Sequence, residues 1–147
     1  MEADAPIVKF TSLQKRYGDG PLILRDINLA VQRGDFLTLI GPSGCGKSTV
    51  LKLVSGLSPS TEGTLTVDGM KPRQARDRQA FIFQDATLLP WLTAQANTEL
   101  PLRLRGRPAA ERRAKARAML ELVGLAAARD YYPRQLSGGM KMRVSIA

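Results

Sequence analysis

Gly41-Pro42-Ser43-Gly44-Cys45-Gly46-Lys47-Ser48 decides the reading of this chain. The spacing is Gly-x-x-x-x-Gly-Lys-Ser, the Walker A pattern of a phosphate-cradling loop. The apolar, β-prone segment Asp35 to Ile40 before it predicts a strand that feeds the loop. Ser48 to Gly56 after it predicts a helix with Gly56 as its stop. Glycines let backbone N–H groups curl around phosphate oxygens without Cβ clashes. The helix start adds partial positive charge. Lys47 has the reach for the terminal phosphates, and the Ser48 hydroxyl suits Mg²⁺. Gly41, Pro42, Ser43, Gly44, Cys45, Gly46, Lys47, Ser48 and Thr49 are therefore the candidate nucleotide-binding residues. At average composition the fixed positions meet by chance in about one chain of this length in a few hundred.

Composition narrows the class. The 147 residues suffice for one domain with a core, and 44% hydrophobic with 24% charged residues is ordinary for a globular protein. No apolar run is long enough to span a bilayer. The start, Met1-Glu2-Ala3-Asp4-Ala5-Pro6, carries acids and no apolar centre, so it does not read as a secretion signal. Cys45 is the single cysteine and there is no histidine, which excludes an internal disulfide and the usual zinc sites. A nucleophilic Cys45 would lack a histidine to activate it, and a small loop filler is the simpler reading. The net charge is +9. Much of it lies in Arg103, Arg105, Arg107, Arg112, Arg113, Lys115 and Arg117, with Glu111 among them. Such a run suits nucleic acid or an acidic membrane surface. It equally suits a solvated helix face, because Ala116, Met119, Leu120 and Val123 form a core stripe at helical spacing. No aromatic residue is interleaved, so no specific nucleic-acid partner is expected.

Along the chain, Ile7 to Tyr17 and Leu22 to Val31 predict strands separated by a Gly/Pro turn, the second with Ile27, Leu29 and Val31 on one face. Thr64 to Asp68 predicts a third strand that ends in an Asp68-Gly69 turn. Ala80 to Gln84 predicts a short buried strand. Thr93 is a plausible N-cap for a helix that Pro101 ends or kinks. Ala109 to Val123 predicts a basic amphipathic helix stopped by Gly124. Ser137-Gly138-Gly139 leads into a last helix that is still in mid-pattern at Ala147, so the chain reads as a fragment.

These motifs, taken in order, resemble the nucleotide-binding domain of ATP-binding cassette (ABC) transporters over essentially all 147 residues. Tyr17 looks like the aromatic residue that stacks on adenine, although a half-buried strand tyrosine would read the same way. Gly41 to Thr49 looks like Walker A. Phe83-Gln84-Asp85 looks like the Q-loop, whose Gln84 amide reaches Mg²⁺ or the attacking water; a surface glutamine is the plain alternative. Leu136-Ser137-Gly138-Gly139-Met140 looks like the family signature Leu-Ser-Gly-Gly-Gln, with Met140 as a departure. Leu88-Leu89-Pro90-Trp91-Leu92-Thr93 is similar to the stretch after the Q-loop in nitrate, sulfonate and taurine importers.

The resemblance implies an α/β P-loop NTPase fold of the ABC ATPase type. That fold is a mixed sheet with an antiparallel N-terminal β subdomain, plus a helical signature subdomain at about residues 86–138, all in one nucleotide-binding domain over 1–147. It implies ATP and Mg²⁺ as ligands. Lys47 and Gln84 would be catalytic, Ser48 and Gln84 would serve the metal, and Tyr17, the Walker A residues, Ser137, Gly138 and Gly139 would bind nucleotide. It implies an ATPase subunit, peripheral at the cytoplasmic face of a membrane. That subunit would pair with a second copy and with transmembrane permease subunits, and serve a solute-binding protein indirectly. In that setting Trp91 contacts a permease helix or packs in the core.

The family's Walker B strand, an apolar run ending in Asp-Glu, belongs after the signature. Leu65-Thr66-Val67-Asp68 precedes the Q-loop and reads instead as a hairpin end. Without the water-positioning Glu, these 147 residues are expected to show little or no turnover on their own. Other readings are a soluble ABC-type ATPase acting on nucleic acid or ribosomes, a P-loop kinase, and a non-catalytic nucleotide-binding fragment.

Overall fold

The structure is a computed structural model that describes residues 5–147. The N-terminal stretch read above as no secretion signal lies mostly outside the described residues. The chain divides into two compact units, Met1–Phe81 and Ile82–Ala147.

The first unit holds three strands, β1 (Val8–Arg16), β2 (Leu22–Val31) and β3 (Glu62–Val67), in the order β2-β1-β3, with both pairings antiparallel. One helix, α1 (Lys47–Val54), follows the glycine loop. The core of this unit holds Phe10, Leu13, Leu24 and Leu65 from the strands and Leu53 from α1. Simple alternation would not bury both Phe10 and Leu13, because a spacing of three changes face. Ser12 resolves this. It lies at φ 43, where the β1–β2 register shifts, and its amide donates to Asn28 Oδ1 at 2.8 Å. A bulge inserts an unpaired residue and flips the phase. Asp26, at φ 45, does the same between Leu24 and Ile27 of β2.

Two predicted strands do not form. Residues 36–40 and 80–84 carry no strand assignment, and Phe36 and Ile40 are 95% and 91% exposed. The apolar, β-prone composition is there, but a strand is made by its neighbours. Gln84 therefore ends no buried strand; it is exposed at a bend. The segment Leu65-Thr66-Val67-Asp68 pairs with β1 and turns at Asp68-Gly69, as a hairpin end does.

The second unit is helical: α2 (Ala94–Leu104), α3 (Ala109–Leu122) and α4 (Gly138–Ile146). Ala94, Leu120, Leu125, Ala128, Leu136 and Val144 form its core. Thr93 caps α2, its hydroxyl accepting from the Ala96 amide at 3.2 Å. Pro101 does not end α2, which runs on to Leu104, although its ring forgoes one amide bond and crowds the carbonyl four residues back. The predicted stripe on α3 is narrower than expected: Ala116 and Leu120 are buried, Val123 is half-buried and Met119 is exposed. Two of the α3 cations meet carboxylates, Lys115 with Glu111 at 3.0 Å and Arg112 with Glu99 at 3.7 Å. Trp91 is 68% exposed, so core packing does not account for it. No helix among the described residues is long and apolar enough to cross a membrane.

Candidate functional site

The helix α1 that follows the glycine loop is held at both ends by the first unit's core. On one side Leu53, near the end of α1, packs with Phe10, Leu13 and Leu24. On the other, Gly46 caps the helix start at φ 101 against β2; a Cβ there would stand 2.8 Å from Leu24 Cδ2. Only glycine tolerates both the backbone angle and that approach. Gly44 is likewise left-handed at φ 82, and the Cys45 amide turns back to the Pro42 carbonyl at 3.4 Å.

Lys47 opens α1 and folds over the loop. Its ammonium donates to the Gly41 and Pro42 carbonyls, at 2.7 Å each, and lies 3.6 Å from Cys45 Sγ. Those carbonyl oxygens occupy donors that phosphate oxygens would otherwise use. The first turn of α1 carries no acid, so no carboxylate competes for an incoming anion. Ser48 is exposed on that turn, next to Thr49.

Tyr17 follows β1 and is 45% exposed. Partial burial pushes its phenol up, but hydrogen bonding with Thr49 and Ser58 and the charges of Lys15 and Lys52 outweigh this and hold it below the ordinary value. The structure thus brings Tyr17 to Thr49, at the end of the Walker A run. Gln84 and the signature belong to the second unit. There Ser137 caps α4, its Oγ accepting from the Met140 amide at 3.3 Å, while Leu136 is buried beneath. Among the described residues, nothing beyond its chain neighbours and its own helix lies within 4 Å of a Cβ on Gly138 or Gly139, so packing there does not require glycine at either.

Sequence reading passed over Lys15 and Asn97, both buried. The available signal for Lys15 was its place two residues before Tyr17 on the same strand; for Asn97 it was a polar residue on the inner face of an amphipathic helix.

Among the described residues no cluster of three or more His, Cys, Asp or Glu could hold a metal. That donor set suits Mg²⁺ only in its nucleotide-bound form, where a protein hydroxyl, phosphates and waters share the ion. Ser48 is the hydroxyl that would contribute, and the ion would neutralise phosphate charge.

A family profile described as "ABC transporter" matches residues 24–147. An aliphatic sulfonates import ATP-binding protein of Bacillus licheniformis is 44% identical over 137 residues, covering 91% of this chain and 52% of the relative. A taurine import ATP-binding protein of Pseudomonas aeruginosa is 42% identical over 130 residues, 88% of this chain and 49% of the relative. The chain thus spans about half the length of these curated relatives. A solved dimeric ATP-binding cassette, in a post-hydrolysis state with ADP and Pi, superposes with a TM-score of 0.84 at 35% identity, over 95% of this chain and 67% of that one. The match runs from the second strand through the capped glycine-loop helix to the Ser-Gly-Gly helix start, and on that ground the chain belongs to the ABC transporter family of ATP-binding cassettes.

Proposed function

We propose that this chain is the nucleotide-handling part of an ATPase subunit that powers import of a small solute such as a sulfonate, taurine or nitrate. The observation that carries the reading is the Lys47 ammonium, held on the Gly41 and Pro42 carbonyls over a left-handed glycine loop at the acid-free start of α1. Gly41 to Thr49 bind the phosphates of ATP, Ser48 shares Mg²⁺ with them, and Tyr17 carries the base. Gln84 serves the metal or the attacking water. The Ser137-Gly138-Gly139 surface faces the nucleotide of a second copy, a reading supported by the open space around both glycines among the described residues. One domain spans residues 1–147, and residues 86–138 form its helical part. The subunit sits at the cytoplasmic face of the membrane on permease subunits, with exposed Trp91 as a contact, and a solute-binding protein delivers cargo.

The test is ATP affinity of the chain, with and without Mg²⁺, for the native form and Lys47→Ala. A charge-assisted hydrogen bond contributes about 1.5–3 kcal/mol, so Lys47→Ala is expected to weaken ATP by at least about tenfold. Equal affinity in the two forms would remove Lys47, and with it this reading of the loop.

A further inference from the structure

Lys15 is only 6% exposed, and it is the one charged residue buried among the described residues. Burying an ammonium is costly unless it finds partners. The partners here are neutral: Nζ donates to the Pro59 carbonyl at 2.7 Å and stands 4.5 Å from the centre of the Tyr17 ring. The Ser12 bulge resets β1 so that Leu13 and Lys15 both turn inward, which places the ammonium at the ring. Tyr17 is therefore held over one face by Lys15. Tyr17 as a whole residue is 45% exposed.

We propose that Lys15 is a positioning residue for the nucleotide base: pinned by the Pro59 carbonyl, it covers one face of Tyr17 and leaves only the opposite face for a purine to stack on. A cation over an aromatic face is held by the ring's negative quadrupole. It also draws electron density toward itself, which makes the far face a better partner for an electron-rich base. Because the ammonium is buried and bonded to backbone, it stays on its side whether or not nucleotide is bound. The inference rests on the nucleotide reading of the glycine loop and adds a determinant of base binding to it.

The experiment measures dissociation constants for ATP and for inorganic tripolyphosphate, which has the phosphates but no base. The forms compared are the native chain, Lys15→Met, Lys15→Arg, Tyr17→Ala, Lys15→Met with Tyr17→Ala, and Lys47→Ala. Lys15→Met keeps an unbranched apolar stem and removes the charge. It is expected to weaken ATP by about threefold to tenfold and to leave tripolyphosphate unchanged. Lys15→Arg restores ATP binding, and the double variant matches Tyr17→Ala alone. If Lys15→Met weakens both ligands equally, Lys15 is only structural and the proposal is overturned. If Tyr17→Ala weakens ATP selectively while Lys15→Met does not, the proposal is overturned and the base platform stands. If Tyr17→Ala leaves the ratio of the two constants unchanged, the platform itself is wrong. If Lys47→Ala binds tripolyphosphate normally, the loop reading fails independently of Lys15.

Discussion

Asn97 shows what one buried amide does. Its Oδ1 accepts from the Leu89 amide at 2.8 Å. Its Nδ2 donates to the carbonyls of Leu89, Leu92 and Thr93 at 3.2, 3.0 and 3.0 Å. One side chain on α2 thereby fixes the turn that leads into the helix and presents Trp91 on the surface. Replacing it with an apolar isostere removes every bond at once and leaves the Leu89 amide without its acceptor. Asn97→Leu is expected to destabilise the chain by about 2–3 kcal/mol, read as a lower urea midpoint at unchanged slope. Thr93→Ala, which removes the cap on the same helix, is expected to cost about 1 kcal/mol by the same measurement. The cap was legible in the sequence because its chemistry is local, a hydroxyl three residues before the amide it receives. The Asn97 bonds were not, because they depend on how the preceding turn folds back.

At the scale of elements, helices and strands differ in how far sequence determines them. The starts of α1, α2 and α4, capped by Gly46, Thr93 and Ser137, fall within one turn of where the Walker A run, the Thr93 cap and the Ser-Gly-Gly run put them. The strands β1 and β2 also appear where alternation and the Gly/Pro turn place them, but their bulges at Ser12 and Asp26 are invisible to a period-two pattern. Residues 36–40 have all the composition of a strand and no ladder partner among the described residues, because ladder bonds come from another segment. The bulge in turn dictates its neighbour. Gly63, at φ 73 in β3, lies so close that a Cβ would collide with the Ser12 carbonyl and the Thr11 oxygen. Both the angle and the contact oppose a side chain, and the obstacle is backbone that cannot swing away. Gly63→Ala is expected to destabilise by more than about 1 kcal/mol, the reverse of the gain Gly→Ala gives at an unstrained site. A neutral or higher thermal midpoint would show that the bulge can move.

Across the whole molecule the balance of charge decides how stability responds to acid. The chain has 22 basic and 13 acidic residues, so each carboxylate that takes up a proton adds to an existing excess of positive charge. Two carboxylates are tied to that excess. The Arg78 guanidinium, hydrogen-bonded to Asp68 and aided by Arg33 at 3.2 Å, holds the Asp68 carboxyl below its ordinary value. The Lys115 ammonium does the same for Glu111. A carboxyl depressed in the folded state contributes stability above its unfolded pKa and loses it as pH falls through the folded value. The urea midpoint is therefore expected to hold from neutrality down to about pH 5 and to fall below about pH 4, where ordinary carboxylates titrate. Asp68 joins the end of β3 to Arg33 after β2 and to Arg78 beyond it, so Asp68→Asn tests the argument within one residue. Its midpoint should lie below that of the native chain at pH 7, by an amount that added salt reduces because the pair is exposed. The two midpoints should converge in acid, once native Asp68 is also protonated. An offset that stays constant from pH 7 to pH 3 would mean that Asp68 acts through its turn geometry, at φ 51, and not through its charge.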